Sequence, residues 1–459
     1  MERLNDILSQ ISGFLWGWPM IVMLLGTHLF LTVRLRFPQI HIFKAIKLSF
    51  KRDKGADGDV SQFGALVTAL AATIGTGNIV GVGTAIALGG PGAVLWCWLT
   101  GVLGIATKYA EGLLAIKYRV QDSDGRMQGG PMYALERGLG LKWLGVAFAF
   151  FTAFASFGIG STVQANAIST LSQEVYGIQP VVIGGIITIL ASAVIVGGVK
   201  SISKVCEMLV PLMAALYIIG CIAIMCINAP YVWPAIKLIV RSAFDPAAAG
   251  GGFVGSSIMI AARYGIARGL FSNESGLGSA PIVAAAAKTR NPVRQALVSS
   301  TGTFWDTVVI CAMTGIVIVS SIIAYPEISF ENGGVLTTMA FSKIPYVGGP
   351  LLAFGSLTFA FSTILGWSYY GERAMEYLAA KGILKGRIPA KNVVNLYRVA
   401  FLITVYLGAV VSLDLVWNLA DIFNAMMALP NLVCLLLLSG VVVSETRKYL
   451  WSGHLDDEM

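Results

Sequence analysis

Eleven apolar runs, most of them about 20 residues or longer, follow one another along this chain with short polar loops between them. About 20 apolar residues is the length a helix needs to cross a bilayer, and no other feature of the sequence narrows the fold as far. The runs fall near residues 12–33, 61–88, 92–117, 143–171, 180–199, 204–228, 253–286, 294–323, 348–378, 393–411 and 414–442. They do not alternate apolar with polar residues, which argues against a transmembrane β-barrel. Only 12% of residues are charged, against roughly 25% in soluble domains, so there is too little polar surface to cover a water-soluble globule. The expectation is an all-α polytopic membrane protein with eleven transmembrane helices. The first run is too long for a signal-peptide core and has no small-residue cleavage site after it, so it reads as a permanent span.

Basic residues set the expected orientation. The loop after span one holds Arg34, Arg36, Lys44, Lys47, Lys51, Arg52 and Lys54, and the loop after span three holds Lys117, Arg119, Arg126, Arg137 and Lys142. Further basic residues follow spans five, seven and nine and stand in the tail. The alternate loops and the N-terminus hold only Arg3, Lys237, Arg241 and Lys343. This places the N-terminus outside and the C-terminus in the cytoplasm, and it accounts for the net charge of +8 without nucleic acid. The segment IHIFKAIKLSFKR sets Phe43, Ile46 and Phe50 on one face and Lys44, Lys47 and Lys51 on another, the pattern of a helix lying in the interface against anionic lipid.

Two of the runs are interrupted. Span two contains TIGTGNIVGVG and span seven contains ARGLFSNESGLGSAP. Setting span one aside leaves ten spans, and the interrupted ones open each group of five. Five is odd, so the two groups must run in opposite senses. One extra N-terminal helix plus a 5+5 inverted-repeat core with two broken helices is the sequence pattern of a secondary transporter. The expected divisions are 1–60 for the N-terminal and interfacial helices, 61–228 for the first repeat, 229–252 for an outer connector, 253–442 for the second repeat and 443–459 for a cytoplasmic tail.

Glycine weakens a helix, and an unwound stretch inside a membrane is tolerated only where protein or a wet cavity satisfies its backbone. Freed carbonyls suit a small cation, and the positive N-terminus of a half-helix suits a carboxylate. Gly77 and Gly81, four apart, also fit close helix packing. The matching break beside Asn273 and Glu274 favours a binding site. Gln164, in the middle of span four, is either an interhelical hydrogen-bond partner or an amide facing a cavity. Ser362 and Thr363 either bond back to their own helix or add two oxygens to a sodium shell. Trp367, one turn on, either walls a pocket or simply packs. Lys108 and Glu111 are spaced to pair on one helix face. Arg263, Arg268, Glu274 and Asp306 are charges at membrane depth, where function is the default reading, and they suggest gates. Glu372 and Arg373 fall where they would meet lipid headgroups. Six cysteines lie in apolar runs without a C-x-x-C and read as small apolar filler. The three histidines are scattered, with no zinc or haem spacing.

The stretches GTGNIVGVGTAI, GGPGAVLWCWLTGVLG, QGGPMYALERGLG and GLFSNESGLGSAP resemble the alanine/glycine:cation symporters, also called sodium:alanine symporters, and the resemblance runs over nearly the whole chain. It implies the leucine-transporter fold and sodium-coupled uptake of alanine or glycine. By that resemblance Gly75, Thr76, Gly77 and Asn78 form the first break, with the amides of Thr76 and Gly77 on the substrate carboxylate. The carbonyls of Ala71, Ile74 and Phe359 and the hydroxyls of Ser362 and Thr363 would hold sodium. Phe271, Ser272 and Asn273 would contact the amine and cap the pocket, and Trp367 would line it. Gln164 stands where related transporters place an aromatic hydroxyl. The competing reading within the same fold is proton coupling through Glu274 or Asp306. A membrane-embedded transferase would need a nucleophile, a base or a metal centre, and no such constellation stands in the sequence.

Overall fold

The computed structural model describes all residues except 1, 52, 54, 123, 246–257, 329–332, 382–388, 412–413 and 458–459. Arg52 and Lys54 of the first basic loop, and Lys385 and Arg387 after span nine, lie outside the described residues. Among those described, eight helices are long and apolar enough to cross a membrane. A ninth span is a bent pair, Gln62–Thr73 and Gly77–Gly89, which meet at 53°. The helix Pro180–Ile195 is apolar but shorter. Segment 253–286 divides into Ile258–Asn273 and the short helix Ala280–Ala284. Large apolar side chains such as Ile189 and Met208 are both 70% exposed on the outer helices, which a bilayer would cover and water would not.

Local sequence explains the two breaks. Ser61 caps the first half-helix by accepting from the Gly64 amide at 2.8 Å. That half-helix ends at Ile74, whose extended backbone (φ −75°, ψ 97°) leaves the helical path. The Asn78 side chain accepts from the Gly75 amide at 2.9 Å and so holds the bend shut. The outer half-helix ends at Gly90, with φ 71°. In the second break Glu274, Gly276 and Gly278 all have positive φ, at 53°, 91° and 85°. Two of these three positions are glycine, the residue that adopts this conformation without strain.

Helices five runs apart pack on one another. Ala93–Lys117 lies on Pro292–Thr303, and Val82–Gly89 lies on Ile258–Asn273. Lys142–Ala155 lies on Gly348–Lys381, and Pro180–Ile195 on Ala390–Val410. The long helix Gly348–Lys381 also runs beside Gln62–Thr73, and close approach there demands glycine: a Cβ on Gly366 would stand 2.8 Å from that of Ala72.

The basic loops gather at one end of the bundle. A two-stranded hairpin, Val120–Gln121 with Met127–Gln128, lies there. Arg126 of this hairpin pairs with Glu376 at 3.0 Å, and the Met127 amide donates to Asp59 at 2.9 Å. Arg119 donates to the carbonyls of Ala285, Ala287 and Asp57 at 3.1, 2.8 and 3.1 Å. Underneath, the entry to the first broken helix meets the exit of the second in a parallel bridge between Val60 and Ala287. The helix Ile42–Ser49 buries Ile42, Ala45 and Leu48 and leaves Phe43, and Phe50 just past its end, exposed.

Candidate functional site

The two breaks face each other across a small pocket. Its wall holds Gly75, Thr76 and Gly77 from the first break, and Phe271, Ser272 and Glu274 from the second. Gln164, Thr363, Ile159, Asn424, Ala72 and Thr73 complete it. Thr76, Gly77, Ile159 and Phe271 also line a cavity of about 520 Å³ above the pocket. That cavity is also lined by Trp16, Thr84, Arg263, Arg268 and Asp421. The Val60–Ala287 bridge joins the outer flanks of the two broken helices away from this cavity's lining.

Several of the wall helices depart from α geometry at this depth. Residues Gly77–Gly81, Ser156–Thr162 and Phe304–Cys311 form wider π turns, which free backbone groups and recur at functional sites. The outer half-helix Gly77–Gly89 begins at the pocket wall, and the first amides of a helix have no partner within it.

Beside the first break lies a cluster of four oxygens. The Ser362 hydroxyl lies 3.2 Å from the Ala71 carbonyl and 2.9 Å from that of Phe359. The Thr363 hydroxyl lies 3.1 and 3.0 Å from the same two carbonyls. Each hydroxyl bonds back to its own helix at the Phe359 carbonyl and also reaches across to the Ala71 carbonyl of the first break. Ile74, the fifth expected donor, ends the half-helix above them. A Cβ on the adjoining Gly75 would stand 2.9 Å from Thr363 Oγ1, so the break rests on Thr363. An all-oxygen set of this kind suits a hard cation.

Three expected contacts fall behind the wall. Asn78 is fully buried, and its amide nitrogen donates to Asp306 Oδ1 at 2.7 Å. Asn273 turns toward helix Ala93–Lys117, accepting from the Ser275 amide at 2.9 Å and donating to Thr100 at 3.4 Å. Its own chain reversal uses up the side chain. Trp367 is fully buried beneath the pocket and donates its indole N–H to Glu274 at 3.2 Å, so it supports a wall residue instead of lining the wall.

The buried charged residues each have partners, and one pair is placed differently from expectation. Asp306 accepts from Asn78 and also from Ser272, at 3.0 Å, and so ties the two breaks together. Lys108 lies 3.9 Å from Glu111, as their spacing suggests. Lys108 also donates to the Glu274 carbonyl at 3.1 Å, and Glu111 accepts from the Gly276 and Gly278 amides at 3.0 and 3.1 Å. Glu372 and Arg373 do not meet headgroups. They are 1% and 4% exposed and form ion pairs with each other, with Arg398 and with Glu376. Asn424 escaped the sequence reading; the clue was a lone amide in the apolar stretch DIFNAMMA.

A model of the sodium:alanine symporter family matches residues 1–458. The chain belongs to the sodium:alanine symporter family. It is 51% identical over 453 residues to the sodium/alanine symporter AgcS of Methanococcus maripaludis, covering 97% of each chain. Two solved structures share the fold at low identity. The crystal structure of MhsT in complex with L-phenylalanine aligns with a TM-score of 0.55 at 16% identity, over 85% of this chain and 90% of that one. The substrate-bound outward-open Na⁺-coupled sialic acid symporter aligns with a TM-score of 0.52 at 12% identity, over 93% and 84%. This member of the sodium:alanine symporter family is thus a multi-pass membrane transporter, not an enzyme, with the leucine-transporter fold.

Proposed function

We propose that this protein couples the inward movement of sodium to the uptake of alanine, and of glycine, by alternating access. The observation that carries the reading is the four-oxygen cluster: Ser362 and Thr363 on one long helix lie within 3.2 Å of the Ala71 carbonyl at the end of a broken one. Sodium, as a co-transported substrate, takes the oxygens of Ala71, Ile74, Phe359, Ser362 and Thr363. Bound there, it fixes the path of the chain through Gly75, Thr76 and Gly77, whose amides then receive the amino-acid carboxylate. Phe271 and Ser272 border the substrate on the other side, and the small volume of the pocket favours a side chain no larger than a methyl group. Gln164 takes part in binding, while Asn78, Asn273 and Trp367 act through the residues that they hold.

The chain crosses the cell (inner) membrane eleven times, with the N-terminus outside and the C-terminus in the cytoplasm. One added N-terminal helix precedes two inverted repeats, 61–228 and 253–442, joined by the connector 229–252. The packing of helices five runs apart supports this division, as does the bias of basic loops toward one end. Anionic lipid covers Phe43 and Phe50 beside Lys44, Lys47 and Lys51. The cavity above the pocket corresponds to an outward-facing state.

The test is uptake of radiolabelled alanine into proteoliposomes under an inward sodium gradient or an equal potassium gradient. Accumulation with sodium alone supports symport. Accumulation driven equally by a proton gradient, without sodium, would reject the sodium site and assign coupling to Glu274 or Asp306.

A further inference from the structure

Two residues of the pocket wall carry buried acceptors that no described residue satisfies. Gln164 Oε1 and Asn424 Oδ1 both lack a hydrogen-bond partner, although their residues are only 4% and 2% exposed. Leaving a buried polar group unpaired is costly, and two such oxygens on residues of one small pocket point to a missing donor. The orientation of Gln164 is fixed on its other side. Its amide nitrogen donates to the Ile159 carbonyl at 3.1 Å, a group made available by the π turn Ser156–Thr162. The oxygen must then face inward, toward the Gly75 break: a Cβ there would stand 3.9 Å from it. Asn424 reaches the same pocket from helix Asp414–Leu437.

The charges around these oxygens agree with a cationic guest. Glu274 stands in the same wall, but its carboxylate already accepts from Trp367 and from Ser279, at 3.2 and 2.5 Å. It therefore adds negative potential more than a free bonding site. The N-terminus of the outer half-helix at Thr76 and Gly77 also borders the pocket, and a helix N-terminus carries positive potential suited to a carboxylate.

We propose that Gln164 and Asn424 are the ammonium-binding end of the pocket and select primary α-amino acids. The proposal rests on the amino-acid transport reading above and adds to it the residues that read the amine. A primary ammonium brings three N–H donors, enough for both orphaned oxygens with one to spare toward Glu274. N-methylation removes one donor and adds bulk in a site with no room for it. A hydroxy acid of the same shape offers one weaker donor and no charge.

The test is sodium-driven uptake of L-alanine into proteoliposomes, with N-methyl-L-alanine and L-lactate as competitors. Wild-type protein should be inhibited at least about tenfold more weakly by N-methyl-L-alanine than by unlabelled alanine, and not by lactate. A hydrogen bond to a charged group contributes about 1.5–3 kcal/mol, so Asn424→Leu and Gln164→Leu should each raise the KM for alanine about tenfold or more. Their half-saturating sodium concentration at saturating alanine should stay near wild type. Asn424→Asp keeps the acceptor and should keep the KM within about threefold. An unchanged KM in both leucine variants, or equal competition by N-methyl-L-alanine, would overturn the proposal and leave the two oxygens to water alone. The competition series needs no variant, so it decides the matter even if a variant fails to fold. Wild-type protein that takes up no alanine under a sodium gradient would instead overturn the transport reading itself.

Discussion

Asn78 and Asp306 meet at 2.7 Å although 228 residues separate them in the chain. The same carboxylate takes the Ser272 hydroxyl at 3.0 Å. One buried side chain on the π turn Phe304–Cys311 therefore holds both broken helices to a common centre.

Asp306→Ala should abolish this tie. Asn78 and Ser272 would each lose a buried acceptor, at about 1–3 kcal/mol apiece. Expected outcomes are a clear fall in melting temperature and at least a tenfold fall in alanine uptake. Asp306→Asn, which keeps an acceptor oxygen, should recover much of the thermal stability. Melting curves in detergent together with uptake rates would check both.

Thr363→Ala removes one of four clustered oxygens, together with its hydrogen bonds to the Ala71 and Phe359 carbonyls. The half-saturating sodium concentration should rise about tenfold, roughly the loss of one good interaction with a charge, and Thr363→Ser should restore it. An unchanged sodium dependence in Thr363→Ala would refute the assigned ion site.

Gly366→Ala would set a methyl group 2.8 Å from the Ala72 side chain. Neither helix can yield locally, since both neighbours are backbone-bound. The long helix should move off the first break and carry Ser362 and Thr363 away from the Ala71 carbonyl. Sodium dependence should therefore weaken in this variant even though it removes no oxygen, and a sodium titration of uptake would show it.

Arg119→Ala would remove three hydrogen bonds to the chain at the hairpin end. The balance should shift toward the state open at that end. A cysteine introduced at Thr84, in the cavity, should then react more slowly with a membrane-impermeant thiol reagent applied from the cavity side. Faster or equal labelling would show that Arg119 does not hold the hairpin end closed.

The elements that followed from chemistry of the chain alone were legible in the sequence. Apolar length located the helical segments, because the bilayer sets that length whatever the tertiary fold. Gly75, Gly77, Gly276 and Gly278 marked the breaks, because helices seldom accept so many glycines without use for them. Adjacent hydroxyls at 362 and 363 stood out in an apolar run. What side chains do after they leave the backbone was harder to read. Asn78, Asn273 and Trp367 are one residue or one turn from the pocket, and their direction depends on partners far along the chain: Asp306, Thr100 and Glu274. Glu372 and Arg373 looked interfacial because nothing local shows that Arg398 and Glu376 will neutralise them. Asn424 could only be recognised once its helix was set against span four.

The seam between the two broken helices bears on both evolution and leakage. It joins Val60 to Ala287 through main-chain groups, with Asp59, Val60 and Lys288 all donating amides across it at 2.8–3.1 Å. A seam made of backbone keeps its bonds whatever side chains drift in around it, so mutation can retune the hairpin above without puncturing the barrier below. It also parts as a unit: losing one bond strains its neighbours, and the chain gains little until all have gone. Ions slipping through without cargo would have to find the seam half undone, a state this arrangement makes scarce.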